Sequence, residues 1–424
     1  MFSIMSGKKG PRFCDGLTRR DALQVGAMGV GGLTLGELLR AEGKSGTGSS
    51  HKSLINIHLA GGPSHLDMWD LKPGAPRAFR GEFEPIPTNV PGLDICEHFP
   101  MLAHSGDKFS VIRSLTGSIS DHSDYPTQTG FSRSNLQGLG GRPSIGTVAA
   151  KLQGSSGTGA PPFIGYNGAY TGFLSSVYKP YRPQGGELKL NKTMTAGRLQ
   201  SRTDLLVGLD RLRRDVDHTG HMLALDAYTQ QAVDIVTSGR VADALDMNTE
   251  DPKVRERYGN DGKMFLTARR LIEAGVRVVG FNWGSWDTHS NNFNHLRGQL
   301  PRLDRALHSL LDDLHARGME KDVTVVVWGE FGRTPRVNGN KGGRDHWTQL
   351  AGCFLAGGGM KNGQAIGTSS RNGERAIKRP VHILEVFSTL YHNLGIDVRT
   401  TTITDPAGRP QYLTDGREPI WELI

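Results

Sequence analysis

Val276-Arg277-Val278-Val279-Gly280-Phe281-Asn282 and Asp322-Val323-Thr324-Val325-Val326-Val327-Trp328 decide the fold. Each is a short run of β-branched and aromatic residues with almost no polar alternation. Such a run fits a strand covered on both faces, not one with a wet side. Between them, Asn294 to Arg317 carries Leu296, Leu300, Leu303, Leu307, Leu310, Leu311 and Leu314 at helical spacing, and Gly318 stops it. Met264 to Ala274 reads as a helix ended by Gly275, Ala351 to Ala356 as a further strand, and Val381 to Gly395 as a late helix. Helices alternating with buried strands predict an α/β fold: a mostly parallel central sheet with helices on both faces. In such sheets ligands bind beyond the carboxyl ends of the strands.

Working toward the N-terminus, Leu54 to Leu59 and Phe109 to Leu115 read as two more strands. Thr203 to Thr237 has the spacing of two helices broken near Thr219-Gly220. The stretch from Gly138 to Lys189 is rich in Gly, Pro, Ser and Tyr and lacks periodicity, so an irregular insertion is expected there. The first residues follow a different grammar. Thr18-Arg19-Arg20-Asp21 precedes a mildly apolar run from Ala22 to Leu39 that has no Lys or Arg. Paired arginines before a short apolar region predict export by the twin-arginine machinery, to the periplasm or cell surface. The run is too rich in glycine for a good membrane span. Gly43 to Ser50 reads as a linker. The expected division is therefore 1–50, leader and linker, and 51–424, one α/β domain.

Composition narrows the function classes. The chain has 424 residues, 36% of them apolar, with a mean hydropathy of −0.39. Fifty-seven glycines imply long loops, where sites are usually built. The formal charge is +8 with no dense basic run, which suits an anionic substrate and argues against nucleic acid. Three cysteines without a C-x-x-C argue against a thiolate zinc site or a disulfide framework.

Polar clusters follow the strands. Trp286-Asp287-Thr288-His289 follows one, and Gly329-Glu330-Phe331-Gly332-Arg333-Thr334-Pro335 follows another. A glycine-rich loop then reaches Gly343-Arg344-Asp345-His346-Trp347, and the first strand leads into Gly62-Pro63-Ser64-His65-Leu66-Asp67. Asp-x-His puts a hard oxygen and an imidazole within reach of one cation, and mixed shells of that kind suit Zn²⁺ or Mn²⁺. Asp287 and His289 are thus candidate ligands; an Asp-turn beside an exposed His is the plain alternative. Asp345 and His346 are either ligands, with His346 favoured, or a hydrogen-bonded pair. Glu330 is either a ligand or the ion-pair partner of Arg333. Asp67 is a further candidate ligand or supports one. Arg333 and Arg344 are candidates to clamp an anionic ester, or are spent in salt bridges. The stretch Asp121-His122-Ser123-Asp124 offers His122 or Ser123 for a second metal or a nucleophile. His308 and His315 read as surface residues, His382 and His392 as structural.

Taken together, the leader and these motifs resemble a bacterial family known as domain of unknown function 1501, itself similar to the alkaline phosphatase and sulfatase superfamily. The stretch from Pro380 to Asp397 looks like the late helix of sulfatases. The resemblance implies a hydrolase of phosphate or sulfate esters, perhaps on polysaccharides, with two divalent cations drawn from Zn, Mn, Ca or Mg. By position, Asp287, His289 and His346 look like one metal's ligands and Glu330 like part of the other's. Two departures stand out. The first strand ends His58-Leu59-Ala60-Gly61 where the superfamily places a ligand Asp, and the sulfatase nucleophile signature is absent. Ser120 falls where that nucleophile would stand; Ser123, Thr127 and Ser64 are alternatives. The competing readings are an exported binding or envelope protein on a degenerate scaffold, and a metal-dependent isomerase or mutase.

Overall fold

The computed structural model describes residues 52–168, 170–183 and 232–424. The expected leader and linker, most of the helical stretch expected over Thr203 to Thr237 and the end of the expected insertion lie outside the described residues. Residues 232–238 are helical.

The central sheet has eight strands. In chain order they are β1 (Ser53–His58), β2 (Phe109–Thr116), β3 (Phe163–Gly165), β4 (Val278–Asn282), β5 (Val323–Trp328), β6 (Ala351–Gly357), β7 (Gln364–Ile366) and β8 (Val381–His382). The order across the sheet is β7-β2-β6-β5-β1-β4-β3, and β8 adds to the end of β2. β6 alone runs against its neighbours, β2 and β5; the other pairings are parallel. The continuous apolar runs have the cause inferred from sequence. Ile55, Ile57, Val279, Phe281, Val325 and Val327 face one core, while Leu54, Val278, Val326 and Trp328 face the other.

Helices close both sides. They are α1 (Tyr125–Thr129), α2 (Ile145–Gln153), α3 (Lys263–Glu273), α4 (Asn292–Ala316) and α5 (Ile383–Asn393). Leu271 of α3 and the leucine stripe of α4 pack into the first core, and Val148 of α2 with Phe387 and Leu390 of α5 pack into the second. The mostly parallel α/β fold is therefore present. One part of it was hidden. The glycine- and proline-rich stretch is irregular over much of its described length, yet it contains α2 and the edge strand β3. Ser144 caps α2 by accepting from Thr147 N, and nine residues of helix follow.

The antiparallel strand matters for the site. A parallel successor to β5 would need a crossover to the far edge of the sheet. Instead, residues 329–350 stay at the carboxyl edge of β5 and turn back directly into β6, holding the Glu330 and His346 motifs where β1 and β4 also end. A two-residue ladder, Gly332–Arg333 against His346–Trp347, pins that loop.

Candidate metal centre

Four loops meet at this edge. The turn after β1 comes first. Gly61 has φ +101°, and a Cβ there would lie 2.6 Å from the Asp287 backbone nitrogen, so only glycine lets the two loops touch. The Gly61 and Gly62 amides donate to the two Glu330 oxygens at 2.8 and 3.2 Å, forming a small backbone cradle. Gly343 makes a comparable close approach to His289: a Cβ there would collide with the His289 carbonyl at 1.9 Å.

Arg333 ties these loops together. It is fully buried. Its Nε donates to Gly62 O at 2.9 Å and its Nη1 to Arg344 O at 3.0 Å. Nη2 donates to Trp286 O at 3.1 Å, to Gly61 O and to Asp287 Oδ1. Each nitrogen of the fork is engaged within the protein, so the guanidinium fixes Asp287 and has no face for a ligand. The anion-clamp role expected for it is not supported.

Asp287 then faces three imidazoles. Asp287 Oδ1 lies 3.1 Å from both His289 Nε2 and His346 Nε2. His346 Nε2 also lies 2.9 Å from His289 Nε2 and 2.9 Å from His122 Nε2. The facing atoms of His122, Asp287 and His346 lie within 4.8 Å of one another, as a cation's ligands must. His346 Nε2 offers one proton or one lone pair, so it can satisfy only one of its three neighbours by hydrogen bonding. The remaining contacts set acceptor against acceptor unless a cation stands between them. A tetrahedral shell with bonds of about 2.0–2.1 Å places its ligand atoms roughly 3.3 Å apart; the contacts of His346 Nε2, at 2.9 to 3.1 Å, come near that spacing, and the set that lies within 4.8 Å throughout is His122, Asp287 and His346.

The surroundings prepare these groups for that role. His289 Nδ1 lies 2.6 Å from Asp345 Oδ1, and Asn338 Nδ2 donates to Asp345 Oδ2 at 3.2 Å. Asp345 thus holds the proton of His289 on Nδ1 and turns Nε2 inward as a lone pair, the usual carboxylate–imidazole support of a metal ligand. The His289 hydrogen bond keeps the Asp345 carboxyl below its ordinary range. Burial acts to raise the Asp287 carboxyl, but hydrogen bonds from Arg333 and His346 outweigh it and hold it near 2. Burial lowers His346, with Arg333 and the His122 and His289 rings acting the same way against the raising hydrogen bond to Asp287.

Behind His122 lies a buried acid. Glu330 is 1% exposed, and burial raises its carboxyl to about 7 against the pull of the Gly61 and Gly62 amides. Its Oε1 lies 3.8 Å from His122 Nδ1 and its Oε2 3.5 Å from His58 Nε2. Burial lowers His58 to about 4, and its Nδ1 meets Thr127 Oγ1 at 2.8 Å. Glu330 therefore sits behind His122, and the ion pair with Arg333 weighed from sequence does not form.

Other expected residues fall elsewhere. Asp67 and Arg344 are both fully buried and pair with each other in a fork, Nε to Oδ2 at 2.9 Å and Nη2 to Oδ1 at 3.0 Å. Asn292 Nδ2 completes the Asp67 shell at 2.9 Å, and Arg344 spends its remaining donors on Thr334, Pro335 and Phe79 carbonyls. Neither Asp67 as a ligand nor Arg344 as a clamp is supported; a carboxylate whose oxygens are both taken by buried donors has none to offer a metal. Ser123 Oγ accepts from Tyr125 N at 3.2 Å, an ordinary turn bond. Thr127 is engaged by His58, and Ser64 is buried. No hydrogen bond brings Ser120, Ser123, Thr127 or Ser64 to the histidine cluster among the described residues. Two contributors escaped the sequence reading. His58 was visible as a histidine closing a buried strand, and Asn338 left no signal within its glycine-rich loop.

A doubly covered α/β sheet with a histidine–carboxylate cluster at its carboxyl edge defines the class. Residues 51–424 match the family described as "Protein of unknown function (DUF1501)", and the chain belongs to that family. No curated protein matches the sequence. Among solved structures, the chain is similar to Ps i-CgsB in complex with k-i-k-neocarrahexaose, with 11% identity, a TM-score of 0.33, and coverage of 82% of this chain and 72% of that one. It is also similar to the PsFucS1 sulfatase from Pseudoalteromonas sp., with 10% identity, a TM-score of 0.35, and coverage of 85% and 70%. Likeness at that level transfers no residue role.

Proposed function

We propose that this protein is an exported, metal-dependent hydrolase of phosphate or sulfate esters, with esters on polysaccharides as the leading substrates. The observation that carries the reading is the convergence on His346 Nε2 of two other imidazoles and a carboxylate, which hydrogen bonds alone cannot satisfy. His122, Asp287, His289 and His346 would hold the cation, and a nitrogen-rich set of this kind favours Zn²⁺ or Mn²⁺ over Ca²⁺ or Mg²⁺. When bound, the cation supplies electrophilic stabilisation of charge on the ester group. The chain's own residues set that up. Asp345 orients His289, Arg333 fixes Asp287, and the Glu330 carboxyl, raised by burial to about 7, stands behind His122. The site is open, with Asp287 and His289 both partly exposed, so a bulky ester can approach. Arg19-Arg20 and the run behind them would take the chain through the twin-arginine machinery.

Burial of both arginines gives weight to a second reading, a metal-holding exported protein without turnover. One experiment separates the two. Protein purified without chelators is analysed for metal and assayed against aryl phosphate and aryl sulfate esters. The hydrolase reading expects at least one cation per chain, turnover of an ester class, and loss of both in Asp287→Ala and His346→Ala. Metal with no turnover leaves the binding protein. A metal-free parent that also takes cation from none of the four divalent metals sinks both.

A further inference from the structure

A cavity lies at the opposite edge of the sheet from the proposed metal centre. α5 starts at the carboxyl end of β2, where Val381 and His382 pair with Leu115 and Thr116. It runs down the sheet, so its last turn and the residues after it lie at the amino edge. Close contact between Gly358, just past the end of β6, and Asn393 marks that edge. There, His392, Asp397, Arg399, Pro419 and Trp421 are among the residues that line a cavity of about 280 Å³.

Trp421 is the unusual member. It is 53% exposed, while Ile420 and Leu423 on either side are completely buried. The segment that carries it is tied down. Ile420 N donates to Thr389 Oγ1 at 2.9 Å, Arg379 grips Glu422 at 2.6 Å, and Lys361 N donates to Leu423 O at 2.7 Å. The indole is therefore held out by a fixed backbone, with the His392 ring edge-on at a centroid distance of 6.5 Å. Leaving half an indole in water forgoes burial that the fold obtains from its neighbours. Beside it stands an exposed ion pair, Arg399 Nε on Asp397 Oδ1 at 3.2 Å. Among the described residues that Nε bond is the guanidinium's side-chain hydrogen bond, and the Glu418 carboxylate also acts on its charge.

We propose that this cavity is a saccharide-binding subsite separate from the metal centre. A pyranose ring has an apolar C–H face and a rim of hydroxyls. It needs a flat, rigid aromatic surface on one side and both donors and acceptors at the edge. Trp421 supplies the first, and Asp397, Arg399 and His392 the second. The outer Arg399 nitrogens also accommodate a sulfate or carboxylate substituent on the ring. A purely apolar ligand would leave the Asp397–Arg399 pair stripped of water without replacement bonds, which disfavours it.

The test uses the full chain. Parent, Trp421→Ala, Trp421→Phe, Arg399→Ala and Asp287→Ala proteins are applied to an array of neutral and sulfated oligosaccharides, and the oligosaccharides retained are titrated by calorimetry. The parent should bind at least one of them. Trp421→Ala should weaken it roughly tenfold or more, as expected for a central aromatic anchor, with Trp421→Phe retaining most of the affinity. Arg399→Ala should select against sulfated members. Asp287→Ala should keep the parent's affinity for neutral oligosaccharides, which carry no ester group for the metal centre, so that arm of the outcome does not depend on the metal reading. An unchanged thermal midpoint in Trp421→Ala excludes unfolding as the cause. A parent that retains no oligosaccharide, equal binding by Trp421→Ala, or loss of neutral-oligosaccharide binding in Asp287→Ala would each overturn the proposal.

Discussion

Asp67 and Asp287 both touch a buried guanidinium, yet their surroundings give them different work. Asp67 is 1% exposed and bonded through both oxygens by Arg344 and Asn292. Asp287 has a side chain 41% exposed and shares Oδ1 with Arg333 and two imidazoles. Removing one partner of a buried pair strands the other charge at a cost of about 3–5 kcal/mol. Asp67→Ala should therefore lower the unfolding free energy read from urea titration by that order while metal bound per folded chain stays at the parent level. Asp287→Ala should do the reverse. Arg333 keeps its four carbonyl acceptors, so stability changes little, but the cation is lost. Urea titration and metal analysis of the two variants check both halves, and metal loss in Asp67→Ala would return that residue to the ligand shell. The sequence could not separate the two aspartates. Both follow a strand end beside polar residues, and the partner of Asp67 lies 277 positions away. For the same reason His122, in a loop without periodicity, was open to several roles until the fold brought it against His346.

At the scale of elements, the strands and helices that bury an uninterrupted apolar run were legible, because burial on both faces leaves its mark in composition. β1, β4, β5 and the stripe of α4 are of this kind. The direction of β6 was not legible, since a doubly buried strand has the same residues whichever way it points. α2 was concealed because glycine and proline on either side drown nine helical residues. The late helix shows a local signal of another sort. His382 caps α5: its Nδ1 accepts from Leu384 N at 3.2 Å, while Glu385 Oε1 accepts from His382 N at 3.0 Å. This is a reciprocal capping box with histidine in the place of serine. Burial lowers the ring's pKa and keeps it an acceptor. His382→Ala should cost about 1 kcal/mol, and His382→Ser should recover most of it. Denaturant midpoints of the two variants decide this, and equal midpoints would mean that packing, not the cap, holds the helix start.

Across the whole molecule, buried groups with opposite shifts shape how stability responds to acid. His65 is fully buried, and burial, helped by the charges of Lys72 and Arg344, lowers it to about 3 from 6.5. Between those values the unfolded chain binds a proton that the folded chain refuses. His65 therefore makes stability fall as pH drops from about 6.5 toward 3. Asp304 has the opposite sign. Burial raises it to about 6 from 3.8, although its carboxylate accepts from Met101 N and Leu102 N at 2.9 and 2.8 Å. In that window the folded chain holds the extra proton, so Asp304 makes stability rise as pH falls through 6 toward 3.8. The two windows overlap between about pH 4 and 6, where their effects oppose. Removing either should unbalance the molecule by up to one proton, a slope change of about 1.4 kcal/mol per pH unit. Asp304→Asn, which keeps an oxygen for one of the two amides, should lose stability more steeply than the parent as the buffer is taken from pH 6 to 4. His65→Asn should lose it less steeply. Neither residue belongs to the histidine–carboxylate cluster proposed to hold metal, so the difference should persist when the protein is treated with chelator. Urea midpoints at several pH values measure the slopes, and variants that both track the parent would show that these two buried groups do not govern its acid response.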